Sequence, residues 1–97
     1  MTYESDTVFS IGGELNSSTV LILDENNRRL IKQSSKLIFD LSQVTSSDNT
    51  GVALLVVLTS FAKSQGKELS FINLPKQLQD LVRAVGVSDI LPIVFKV

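Results

Sequence analysis

The sequence predicts an α/β domain: a single small mixed β-sheet with α-helices packed on one face. Short apolar runs alternate with helix-length segments in the order β, α, β, α, β, α. Strands joined by segments of that length favour crossover connections, which pair strands in parallel at the centre and lay helices on the sheet. The chain has 97 residues, 43% of them hydrophobic and 20% charged, with no Pro/Gly-rich linker. Residues 1–97 therefore read as one domain around one core, with a radius of about 12–13 Å.

The first strand is Thr7-Val8-Phe9-Ser10-Ile11, leading into the turn Gly12-Gly13. Ser17 and Ser18 sit where helix N-caps belong, ahead of a segment running to about Gln33. At helical spacing Val20, Leu23, Leu30 and Ile31 share a face, and Leu21 and Ile22 fall off it. Residues 36–41 (Lys-Leu-Ile-Phe-Asp-Leu) have the apolar density of a buried central strand. A polar stretch, Ser42 to Ser47, leads to a second helix from about Asn49 to Gln65, stopped by Gly66. Lys67 to Leu74 reads as a further strand. Pro75 suits the first turn of a third helix ending at Gly86, with Leu78, Leu81, Val82 and Val85 inward. Ser88 is placed to cap one more turn before the apolar tail from Leu91.

The missing residue types exclude whole function classes. There is no His, no Cys and no Trp. Ser-His-Asp and Cys-His nucleophile systems are impossible, as are thiolate or imidazole zinc sites and disulfides. Nine Lys+Arg against ten Asp+Glu give a net charge of −1, which argues against nucleic acid and against a polybasic membrane anchor. The longest apolar run, Val52 to Leu58, falls far short of the roughly 20 residues that span a bilayer, so no direct membrane insertion is expected. Residues 1–6 are polar and acidic, the reverse of a signal peptide. A cytoplasmic domain without cofactor or metal is the expectation.

Fragments of catalytic motifs do occur. Ser60-Phe61-Ala62-Lys63 and Ser47-Asp48-Asn49 match the S-x-x-K and S-D-N patterns of penicillin-binding enzymes, but in reversed order and without K-T-G. No G-x-G-x-x-G or P-loop pattern is present. Asp40 and Asp48 could be paired as acid and base, yet each falls where a carboxylate ordinarily satisfies free backbone N–H groups. Catalysis is not expected.

Two features point to binding instead. Ser47, Asp48, Asn49, Thr50 and Gly51 open the second helix, where free N–H groups and the helix dipole stabilise negative charge, including a phosphate on a hydroxyl. The plainer alternative is that Ser47 and Thr50 only cap the helix. If Leu54, Leu55, Leu58, Phe61 and Ala62 face the core, then Val52, Val56, Thr59, Ser60 and Lys63 lie opposite. Valines on that face make an exposed apolar stripe, the mark of a partner surface or simply of scattered surface side chains.

These residues resemble a known family. Leu37-Ile38-Phe39-Asp40-Leu41-Ser42-Gln43-Val44, then Asp48-Asn49-Thr50-Gly51-Val52-Ala53-Leu54-Leu55, look like the STAS domain. Gly13-Glu14-Leu15-Asn16, Ala62-Lys63-Ser64-Gln65-Gly66-Lys67 and Leu81-Val82-Arg83-Ala84-Val85-Gly86-Val87 with Ile90-Leu91-Pro92 extend the likeness over nearly the whole chain. The resemblance implies a small sheet with helices on one face, the anti-sigma-antagonist-like fold.

It also implies one of two non-enzymatic roles. Gly13-Glu14-Leu15-Asn16 ahead of the paired Leu21-Ile22, and Gly51 to Leu55 followed by Ala62 to Gly66, look closest to the small STAS subunit of the Mla phospholipid ABC transporter. That subunit binds the transporter ATPase, which would hold the chain at the periphery of the inner membrane. Val52, Val56, Thr59 and Lys63, with the helix start, are the expected contact. The other role is an anti-sigma factor antagonist, phosphorylated by a partner serine kinase on the residue before the helix-start glycine. Thr50 occupies that place, although Asn49 departs from the antagonists' usual Asp-Ser-Ser-Gly. The transporter subunits usually have Thr directly after the Asp and then glycine, where this chain has Asn49 and Thr50.

Overall fold

The computed structural model describes residues 7–94. Its elements are β1 (Thr7–Ser10), β2 (Gly13–Leu15), α1 (Val20–Gln33), β3 (Lys36–Asp40), β4 (Val44–Ser47), α2 (Asn49–Ser64), β5 (Glu68–Ile72), α3 (Lys76–Val85) and β6 (Ile93–Val94). The radius of gyration is 12.8 Å, within the range expected from chain length.

The α/β class and the single helical layer match the sequence reading. One detail differs: the described strands form two sheets, not one mixed sheet, and every pairing is parallel. The main sheet runs β1-β3-β5-β6, and β2 pairs with β4 alone. Because the main order advances in one direction, right-handed crossovers put α1, α2 and α3 on the same face. α2 packs against both α1 and α3 and so sits at the centre of that layer.

Strand alternation decides which side chains meet the helices. Leu37, Phe39, Leu69 and Phe71 are buried under the layer, whereas Ile38, Asp40, Ser70 and Ile72 alternate onto the open face. Phe39 stacks on Phe71 with ring centroids 6.1 Å apart and meets Phe9 at 6.3 Å. Such pairs add specific geometry to a core that also takes Leu55, Leu58 and Leu78 from the helices.

Several boundaries moved for local reasons. α1 is preceded by Thr19, not by Ser17 or Ser18, because the Thr19 hydroxyl ties the chain back to Glu14 O at 2.7 Å. Residues 13–15 and 44–47 are strands where a turn and a polar loop were expected. Val85 is exposed, since α3 ends there and turns at Gly86. Residues 88–90 do form the single turn expected before Leu91, with Ile90 N and Leu91 N both donating to Val87 O. Along α1 the expected face holds: Ile31 is buried, Val20, Leu23 and Leu30 partly so, and Leu21 and Ile22 are exposed.

Candidate functional site

The short β2–β4 sheet exists to position the start of α2. Leu15 lies opposite Ser47 in the parallel register, and Asp48 N donates to Leu15 O at 3.1 Å. Gly51 then passes so close that a Cβ would fall on Ser47 Oγ and lie 2.7 Å from Leu15 Cβ. Only glycine lets the helix begin against this strand pair.

Asp48 is the N-cap, its extended backbone turning the chain and its Oδ1 accepting from Thr50 N at 2.8 Å. The Thr50 hydroxyl, with lesser help from backbone N–H groups, holds the Asp48 carboxyl below its ordinary pKa despite some desolvation. Asp48 therefore occupies the anion-stabilising position at the helix start itself. Ser47 is buried; its hydroxyl donates to Asp48 O at 3.0 Å. Its main chain is gripped by Gln77 of α3: Ser47 N donates to Oε1 at 3.1 Å, and Nε2 donates to Ser47 O at 2.7 Å. Asp40 serves a separate turn, accepting from Ser42 N at 2.8 Å, and that backbone bond is the main cause of its lowered pKa.

Ser47 to Gly51 thus form one constellation, and Thr50 stands half-buried at its edge. Thr50 also lines an open groove of about 170 Å³ between α1 and α2, with Val20, Leu21, Asp24, Ala53, Leu54 and Val57. The groove is apolar, and two of its lining residues are exposed, Leu21 at 77% and Val57 at 39%. Exposed apolar side chains that share one groove mark an interaction surface more often than scattered single residues do.

The stripe expected from helical spacing requires correction. Val52 is only 1% exposed and belongs to the core. Val56 packs partly against the core as well. The reason is that α2 lies between two helices and above the sheet, so its apolar residues are buried through a wide arc. Thr59 and Lys63 are not joined to the Thr50 groove; they line a second groove farther along α2, with Lys67 and Ile90. The exposed valine is Val57, which helical spacing alone did not select because the run 52–58 is apolar all round. Gln77 carried no local signal, since its partner lies 30 residues away in sequence.

Among the described residues no group of His, Cys, Asp and Glu could hold a metal ion, and no helix is long and apolar enough to cross a membrane. Compared with known families, residues 2–93 match the one described as Mlab, STAS domain. The chain belongs to the STAS domain family. This STAS domain is similar to the anti-sigma-B factor antagonist of Bacillus subtilis (strain 168), 31% identical over 90 residues that cover 93% of this chain and 83% of that protein. Its fold is shared with a putative anti-sigma factor antagonist of Thermotoga maritima, at TM-score 0.81 and 16% identity, over 100% of this chain and 84% of that one. The anti-sigma factor antagonist SpoIIAA in its unphosphorylated form aligns at TM-score 0.73 and 15% identity, with the same coverages of 100% and 84%. The STAS domain of a SulP transporter from Vibrio cholerae aligns at TM-score 0.76 and 14% identity, over 100% of this chain and 77% of that one.

Proposed function

We propose that this STAS domain is a non-enzymatic subunit that binds the ATPase of a phospholipid-transport (Mla-type) ABC transporter and supports its assembly or activity. The observation that carries the docking surface is the apolar groove beside the α2 start, in which the exposed Leu21 and Val57 share the lining with Thr50. An apolar anchor of the partner entering there would gain desolvation energy, while the rigid Asp48 cap and the Gln77 clamp hold the groove's end in place. The Mlab description of the matching family supports this choice of partner.

A second reading is an anti-sigma factor antagonist that binds a serine kinase and is switched by phosphorylation at Thr50. The relative that is 31% identical supports it, as does the place of Thr50 directly before Gly51. A phosphate on Thr50 would bring about −1.5 to −2 charges next to the Asp48 carboxylate and onto the groove's edge. That charge would have to lose water when a partner docks, which would weaken the complex.

Co-purification of the tagged chain from its own cells, with intact-mass analysis, separates the two. Recovery of the transporter ATPase with unmodified Thr50 is the expected result. Recovery of a serine kinase with stoichiometric phosphate at Thr50 would establish the second reading instead.

A further inference from the structure

The second groove on α2 has a chemistry of its own. Thr59, Ala62, Lys63, Lys67, Leu69, Ile90 and Pro92 line a space of about 210 Å³ between the helix end, β5 and the turn before β6. Ala62 and Leu69 form a buried apolar floor, and Ile90, 63% exposed, stands at the rim. Lys63 lies 13 residues beyond Thr50 on the same helix, about 20 Å along its axis, and the two grooves share no lining residue.

The charge at this end is unbalanced. The topology brings the helix C-termini and the strand starts to one edge of the domain. Six of the nine cations, Arg28, Arg29, Lys32, Lys36, Lys63 and Lys67, therefore fall on the later turns of α1 and α2 and the starts of β3 and β5. Arg28 is paired with Asp24, Arg29 with Glu25 and Lys36 with Glu68. Among the described residues no carboxylate pairs with Lys32, Lys63 or Lys67. Lys32 lies over the Phe61 ring at 5.9 Å, and Lys67 Nζ makes a long 3.5 Å bond to Lys32 O. Lys63 and Lys67 thus bring two ammonium groups, neither in an ion pair among the described residues, to a cleft with an apolar floor.

We propose that this groove docks an acidic segment of a partner protein. Carboxylates of that segment meet Lys63 and Lys67, and an intervening apolar side chain enters between Ile90 and Leu69. Charge complementarity selects the partner class: two cations without a carboxylate ion pair among the described residues favour an acidic sequence and disfavour a basic one, and the apolar floor adds what ion pairs alone would lack. The surface is separate from the groove beside Thr50, so one α2 helix would carry two contacts.

The test is a titration of the isotope-labelled full chain, followed by amide resonances, with an end-blocked Glu-Leu-Glu-Glu peptide and its Gln-Leu-Gln-Gln counterpart. Saturable shifts at Thr59, Lys63, Lys67 and Ile90 with the acidic peptide are expected, with Thr50 and Val57 unmoved. The neutral peptide, and a Lys63→Glu/Lys67→Glu variant that keeps native spectral dispersion, should each bind at least about tenfold more weakly. Absence of shifts at millimolar acidic peptide, or equal binding of the neutral one, would overturn the proposal. So would shifts produced by phosphatidylglycerol vesicles and not by peptide, or shifts produced by raising the protein concentration alone. Failure of ATPase binding at the Thr50 groove would leave this titration unaffected, so the two readings fail independently.

Discussion

The side-chain amide of Gln77 engages both main-chain groups of Ser47, accepting from its N–H at 3.1 Å and donating to its C=O at 2.7 Å. In effect α3 supplies the ladder partner that the end of β4 lacks. Gln77→Ala would leave both groups of a buried residue unsatisfied, and a loss of about 1–3 kcal/mol is expected. Urea denaturation gives the total, and faster exchange of the Ser47 amide would show that the loosening is local. An unchanged exchange rate would mean that the clamp does not hold this loop.

The close approach at Gly51 gives a sharper contrast between two glycines. Gly51→Ala forces a methyl against Leu15 Cβ and Ser47 Oγ, and an overpacking loss of about 1–3 kcal/mol is expected, together with a displaced helix start. Gly66→Ala meets nothing within 4 Å but sits at φ +68, so only the left-handed backbone cost of about 1 kcal/mol applies. Melting curves of the two variants should rank in that order.

Acid should weaken the fold through Asp40 and Asp48. Both carboxyls have native pKa values lowered from the ordinary 3.8, Asp40 mainly by the Ser42 N–H and Asp48 mainly by the Thr50 hydroxyl. The sign follows: with the native value depressed, the stabilisation is complete above the unfolded value and is lost as pH falls through the native one. Melting temperature measured between pH 6 and pH 2 should fall at the acid end, and Asp48→Asn, which still caps, should flatten part of that fall.

How much of this was legible depended on whether the signal was local. Helices α1, α2 and α3 and strands β1, β3 and β5 announce themselves by apolar runs and helical spacing, and Asp48 by its place before a helix. Strands β2 and β4 did not, because Gly13-Glu14-Leu15 and Val44-Thr45-Ser46-Ser47 are short and largely polar and are ordered by distant partners, each other and Gln77 of α3. Val52 was misplaced because the stretch from 52 to 58 is apolar on every side, and only the neighbouring helices decide which side is exposed. The Gln77 clamp and the separation of Lys63 from Thr50 are products of tertiary arrangement, with no counterpart in spacing.

The valines of α2 should therefore behave differently under the same change. Val52→Asp buries an unpaired charge in the core and should prevent stable folding. Val57→Asp lies on the exposed rim and should shift stability by no more than about 0.5 kcal/mol. Circular dichroism melts of the two proteins check this directly, and comparable stability would mean that the helix is rotated from the orientation described.

The most direct test of the docking account uses that same rim position. Purified transporter ATPase titrated calorimetrically with the wild-type chain should give saturable binding, and folded Val57→Asp should bind at least about tenfold more weakly, as expected for an anchor contact that is desolvated in the complex. Equal affinity of the two proteins, or no binding by the wild type, would contradict it.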